Sequence, residues 1–147
     1  MFNKEERKMT ICDYVDWFDF SLYHTKDEYG DKCYKLYDNQ GANWGNIEED
    51  EHNNFASVID RLDTYFEDYI DENLYDDLKV YQDKDEHVDL AFDAMHHNRG
   101  YEEVLNELCQ ASEECQEYYK GYMYMLYYTL HPEELIDDTL SEEEFFN

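Results

Sequence analysis

Basic residues, proline, glycine and long apolar runs are all scarce in this sequence, and each scarcity excludes something. Eleven Lys plus Arg stand against 39 Asp plus Glu in 147 residues, a formal charge of -28. The three arginines and eight lysines are scattered. No clustered cationic patch exists to grip phosphates, so direct binding of DNA, RNA or an anionic membrane is excluded. No run of about 20 apolar residues is present to span a bilayer. The stretch from Met1 to Lys8 lacks the apolar segment of a signal peptide, and the expected location is cytoplasmic. Proline occurs once, at Pro132, and the five glycines form no Gly/Ser-rich linker. Residues 1–147 are therefore expected to form a single acidic domain. Four cysteines, Cys12, Cys33, Cys109 and Cys115, match no zinc-knuckle spacing and are expected to be free thiols in a reducing compartment.

Aliphatic residues are also few. Leu, Ile, Val and Phe total 30, about the 20% at which a highly charged chain begins to read as disordered. Sixteen tyrosines and two tryptophans tip the balance toward folding. Each such ring can bury about 150–250 Å² while keeping a polar tip satisfied.

Residues 14–23 are aromatic and β-branched enough to predict a strand, with Tyr14, Phe18, Phe20 and Leu22 on one face. Residues 33–38 predict a second, joined to the first by a turn over Tyr29–Lys32, and a short third strand is expected around Trp44. Phe55, Val58, Ile59, Leu62, Tyr65, Phe66, Tyr69 and Ile70 recur at three and four and predict an amphipathic helix over 53–72. Leu78–Tyr81 reads as a further strand. Helical periodicity returns from Asp85, with Gly100 at that helix's expected end. It continues over 101–130, where Ser112 is a candidate N-cap and 118–128 is apolar nearly all round. Pro132 suits the first turn of a short helix, and Ser141 to Glu144 has capping-box spacing. The predicted fold class is α+β, a small antiparallel sheet packed with about four helices.

Catalytic signatures are missing from this framework. There is no Gly-x-Ser-x-Gly, no phosphate-binding glycine loop and no dinucleotide fingerprint. Asp38–Asn43 lacks the glycine and the ligands of a calcium loop. His96 and His97 are adjacent and point about 100° apart on a helix, the wrong spacing for joint chelation. A metal-dependent enzyme using His96 or His97 with carboxylates is the alternative of a different class. The leading expectation involves no enzyme activity, no cofactor and no metal.

Charge supplies the stronger signal. From Glu48 to Asp77 there are twelve acids opposed only by Arg61. Asp60, Asp63, Glu67 and Asp71 fall three, four and four residues apart on the side of the predicted helix opposite its apolar face. An ordinary exposed face mixes signs, and like charges at i, i+4 cost about 0.2–0.5 kcal/mol each. A face that is destabilising to this degree points to a binding role. Carboxylates one turn apart are separated by about 6 Å of rise, of the same order as phosphate spacing along a strand. The candidate partner-binding residues are Asp60, Asp63, Glu67, Asp68 and Asp71, then Glu48, Glu49, Asp50, Glu51, Asp76 and Asp77.

With that composition and stripe, the chain resembles the DNA-mimic inhibitors of phages and mobile elements, the antirestriction and anti-CRISPR type. The likeness lies in charge and composition over the whole chain and not in a motif. The segments Asp38–Ile47 and Ile59–Tyr65 are also similar to small uncharacterised domains of bacterial mobile elements. The resemblance implies a stoichiometric inhibitor in a bacterial host, whose acidic face occupies the channel of a basic nucleic-acid-binding protein, a CRISPR effector or restriction nuclease. An acidic immunity or antitoxin-like protein that neutralises a basic toxin nuclease is the alternative within the same chemistry. Neither reading fixes an oligomeric state.

Overall fold

Residues 8–38 and 51–147 are described by the structure, a computed structural model, and they form an α+β fold of short helices and a four-stranded mixed sheet. The chain divides into two compact units, Lys8–Asp63 with Pro132–Asn147, and Thr64–His131. Among the described residues no helix is long and apolar enough to cross a membrane.

The first unit opens with a helix where a strand is predicted. Thr10 caps α1 (Ile11–Asp16) by accepting from the Asp13 amide at 3.1 Å. Ile11, Tyr14 and Val15 are buried at helical spacing, which overrides the β-propensity of the aromatic run. Asp19, at φ 63, turns the chain into β1 (Phe20–Lys26), so only the second half of the predicted strand is extended. β1 pairs antiparallel with β2 (Lys32–Asp38), placing Leu22 opposite Leu36 in the core. Their connection is the expected turn. The Asp27 carboxylate accepts from the Tyr29 and Asp31 amides, and Gly30 takes the left-handed conformation that a side chain would oppose.

β3 (Glu51–His52) adds antiparallel to β2 and leads into α2 (Phe55–Arg61), which Asn54 caps through the Ser57 amide. The strand expected around Trp44 lies outside the described residues. After a 3-10 turn at Pro132–Glu134, β4 (Leu140–Ser141) joins β1 in parallel and gives the order β3-β2-β1-β4. The sheet is thus mixed, with only its hairpin and β3 antiparallel. Ser141 and Glu144 form the predicted capping box of α9 (Glu142–Phe145), and the Phe145 and Phe146 rings pack on Tyr23 and Tyr37.

One carboxylate ties the returning segment down. Asp137 accepts from Lys32 Nζ at 2.9 Å, from the Tyr34 hydroxyl at 2.7 Å, and from the amide and hydroxyl of Thr139. Partial burial raises its pKa, but these donors outweigh it and hold the carboxyl well below the usual range.

The second unit is helical. α3 (Asp63–Tyr69) runs into a π-turn over Ile70–Leu74, where the Tyr75 amide bonds the Ile70 carbonyl five residues back. α4 (Tyr75–Leu78) and a 3-10 turn (Lys79–Tyr81) follow. The extra residue of the π-turn has a packing reason. On an uninterrupted α-helix Leu74 and Leu78 would stand about 80° and 120° round from Phe66, toward solvent. One inserted residue sets them back by about 100°, and Phe66, Ile70, Leu74 and Leu78 are all buried. It also removes the predicted strand at Leu78–Tyr81. That segment completes the last helical turn, with Leu78 buried and Val80 exposed.

α5 (Glu86–His96) begins at Asp85, whose carboxylate accepts from the His87 and Val88 amides. The same carboxylate accepts from the Ser112 amide at 2.9 Å, joining the start of α5 to the start of α7 (Glu113–Tyr118). α5 ends earlier than Gly100. Asn98, at φ 53, is its left-handed cap residue, with Arg99 N–H bonded to the Ala94 carbonyl and Asn98 N–H to that of Met95, a Schellman closure. Gly100 instead opens α6 (Tyr101–Cys109), in a left-handed conformation of its own. α8 (Lys120–Leu130) buries four successive residues, Met123 to Leu126, as its composition predicts.

Phe66→Ala and Leu62→Ala, at fully buried positions, are each expected to cost about 2–5 kcal/mol in urea denaturation. Exposed Thr64→Ala should stay within about 0.5 kcal/mol, and equal losses at all three would contradict the observed helix rotation. Asp137→Asn tests the returning segment. Because the folded-state pKa is depressed, this stabilisation is present above the unfolded pKa of about 3.9 and is lost as pH falls toward the folded value. The variant should be less stable by about 1–3 kcal/mol at pH 7, with the gap to wild type closing below about pH 4.

Candidate functional site

The predicted acidic positions separate into three groups by what surrounds them. Glu48, Glu49 and Asp50 lie outside the described residues. In the first unit Glu51, on β3, and Asp60 and Asp63, at the end of α2 and the start of α3, are exposed. In the second unit Glu67, Asp68 and Asp71 are exposed on α3 and its π-turn, joined by Glu72, which the sequence reading passed over.

Asp76 and Asp77 behave differently. Asp76 is exposed but sits 3.3 Å from Lys79, a pair of small energetic value. Asp77 faces inward: its carboxylate accepts from the Tyr122 hydroxyl at 2.5 Å, and its carbonyl accepts from the buried Tyr119 hydroxyl at 2.8 Å. Burial first, then the bond to Asp77, pushes the Tyr122 phenol far above its ordinary range, so it stays protonated and donating. Asp77 is therefore a structural residue. The π-turn is the cause, because it rotates everything after Leu74 by about one residue.

Glu67, Asp68, Asp71 and Glu72 present four carboxylates within six residues, and among the described residues no ion pair or side-chain hydrogen bond engages them. Three of the four bases in residues 64–131 pair with other acids. Lys79 pairs with Asp76, Arg99 with Glu103 at 3.8 Å, and Lys120 with Glu117 at 3.9 Å. Across residues 64–131 there are 17 acids and four bases, so the field over this unit is strongly negative.

Two of the four acids also border a cleft. Glu67 and Asp71 form one wall of a cavity of about 320 Å³, completed by Ala94, Met95 and Asn98 of α5 and its cap, and by Gly100, Tyr101 and Val104 at the start of α6. Asp68 and Glu72 do not line it. The cleft depends on the left-handed closure at Asn98 and Gly100, which no sequence periodicity announced.

Among the described residues, His96 and His97 belong to no group of three potential metal ligands gathered within 4.8 Å. His97 Nδ1 contacts the Asp93 carbonyl, and His96 Nδ1 lies 3.5 Å from the Tyr75 hydroxyl. All four cysteines are free, and burial pushes Cys33 up to about 11 and Cys12 up to about 12, leaving both thiols protonated near neutrality and poor nucleophiles. Of the tyrosines able to extend a binding face, Tyr29, Tyr65 and Tyr118 are the most exposed, at 81%, 42% and 47%.

Paired substitutions separate the structural acid from the surface ones. Asp77→Ala is expected to lower stability by about 1–3 kcal/mol, because it removes the carboxylate that accepts from the Tyr122 hydroxyl. Asp68→Ala should change stability by no more than about 0.5 kcal/mol, and thermal unfolding of both variants checks the distinction. Comparison of this chain with protein-family models, with curated proteins and with solved structures finds no match.

Proposed function

We propose that this protein is a stoichiometric inhibitor that docks an acidic surface into the cationic nucleic-acid channel of another protein, in the manner of antirestriction and anti-CRISPR DNA mimics. The observation that carries the reading is the group Glu67, Asp68, Asp71 and Glu72, four exposed carboxylates that engage no cation among the described residues. Folding gains nothing from such a group. Like charges at this spacing repel, and Lys79, Arg99 and Lys120 pair with other acids. A partner lined with Lys and Arg removes the repulsion on binding.

The mechanism needs no bond made or broken by this chain. A channel that binds phosphates by charge accepts carboxylates by the same electrostatics. Steering by the -28 charge raises the encounter rate by about 10 to 10³. Successive turns of α3 set carboxylates about 6 Å apart along the axis, which suits a groove that tracks a phosphate backbone. The partner is a basic nucleic-acid-binding protein, a CRISPR effector or restriction nuclease of a bacterial host. Asp60, Asp63 and Glu51 are further candidates on the first unit, and Asp77 is not one.

The test is competition. A cationic nuclease captured with this protein should release its nucleic acid when the protein is added, and the association rate should fall steeply as salt rises and the Debye length contracts from about 8 Å to about 3 Å. Reversing Asp68, Asp71 and Glu72 to lysine should abolish binding while circular dichroism remains helical. Reversing Asp60 and Asp63 alone measures what the first unit adds. A rate nearly independent of salt, or a partner that holds nucleic acid and this protein together, would sink the proposal.

A further inference from the structure

We infer that the cleft walled by Glu67 and Asp71 is a socket for a single arginine side chain presented by the basic partner. The inference rests on reading this surface as a dock for a cationic protein, and it names the group that anchors there. Three features select the occupant. The wall carries two carboxylates four residues apart that engage no cation among the described residues. The rest of the lining is mixed, with Ala94 and Val104 buried and Met95 and Tyr101 half-buried beside the exposed Asn98 and Gly100. The cavity, about 320 Å³, lies at the small end of the range for ligand pockets, about 300–1,000 Å³.

A hard divalent cation is a poor match, because calcium takes six to eight oxygens and magnesium a near-ideal octahedron. Here the lining side chains offer only two carboxylates and the Asn98 amide. Lysine brings a compact, strongly hydrated charge without the planar fork that two carboxylates can share. Arginine brings a planar, weakly hydrated guanidinium whose fork of donors fits carboxylates, and its stem covers apolar surface. Tyr101, whose ring stands perpendicular to that of Phe66 with centroids 4.9 Å apart, lines the cleft with an aromatic group of the kind that a guanidinium stacks on. Desolvated arginines in pockets are among the side chains that carry most of an interface's binding energy.

The 147-residue chain, labelled with ¹⁵N, would be titrated with N-acetyl-arginine amide, its neutral isostere N-acetyl-citrulline amide, N-acetyl-lysine amide and calcium chloride. The expected result is saturable amide shifts at Met95, Asn98, Gly100 and Tyr101 with the arginine compound, weaker ones with lysine and none with citrulline. Glu67→Gln with Asp71→Asn should remove the shifts. Asp68→Asn with Glu72→Gln changes the charge equally outside the cleft and should retain them. Equal loss in both double variants would mean diffuse attraction to the acidic surface and overturn the socket, as would shifts mapping elsewhere or calcium reproducing them at the same residues. The functional reading fails separately. A protein that binds arginine amide in the cleft yet displaces nucleic acid from no cationic channel loses that reading alone. Displacement that persists without any arginine shift at Met95 to Tyr101 removes the socket alone.

Discussion

Burying a tyrosine ring while keeping its hydroxyl bonded is the step on which this structure depends. With so few aliphatic residues and a charge of -28, the chain must draw core volume from amphipathic rings. Tyr14, Tyr119 and Tyr124 are among its largest fully buried side chains. A buried phenol without a partner costs about 1–3 kcal/mol, so each ring constrains what may stand beside it. Tyr119 donates to the Asp77 carbonyl, Tyr122 to the Asp77 carboxylate and Tyr34 to Asp137. The aromatic core thereby takes in part of the acidic complement.

That coupling divides the acids by task. Asp77, Asp85 and Asp137 each accept hydrogen bonds from two or more groups, and each holds segments distant in sequence. Their charge is neutralised by donors, and they stabilise the fold. Glu67, Asp68, Asp71 and Glu72 accept nothing among the described residues and add only repulsion. Composition alone makes all of these residues look equivalent. The distinction matters for the proposed docking, since only the second kind has charge left to offer a partner.

The π-turn at Ile70–Leu74 links core and surface. It exists in the packed helix because Leu74 and Leu78 would otherwise leave the buried face. In bringing them in, it turns Asp77 toward Tyr122 and leaves Glu67 and Asp71 beside the α5–α6 closure. One inserted residue thus decides which acids are structural, which are free and which border the cleft.

Several features were legible in the sequence because they rest on local rules. Asp85, Ser112 and Ser141 cap helices through their own short side chains, the hairpin turns at Gly30, and the run Met123–Leu126 is buried because it has no polar face. The α+β class follows from the same patterns, as does the exposure of Asp60, Asp63, Glu67, Asp68 and Asp71. Other features needed the tertiary structure. Ile11, Tyr14 and Val15 form a helix because three buried contacts outweigh the β-propensity of their neighbours. Leu78–Tyr81 stays helical because a rotation begun eight residues earlier suits the core. β4 pairs with β1 from more than 110 residues away, beyond the reach of any local pattern. The sequence by itself determined the charge, the caps and the periodic faces, because those depend on neighbours within one turn. Packing between distant segments decided the helix register, the role of Asp77 and the cleft, because each follows from which side chains share one buried space.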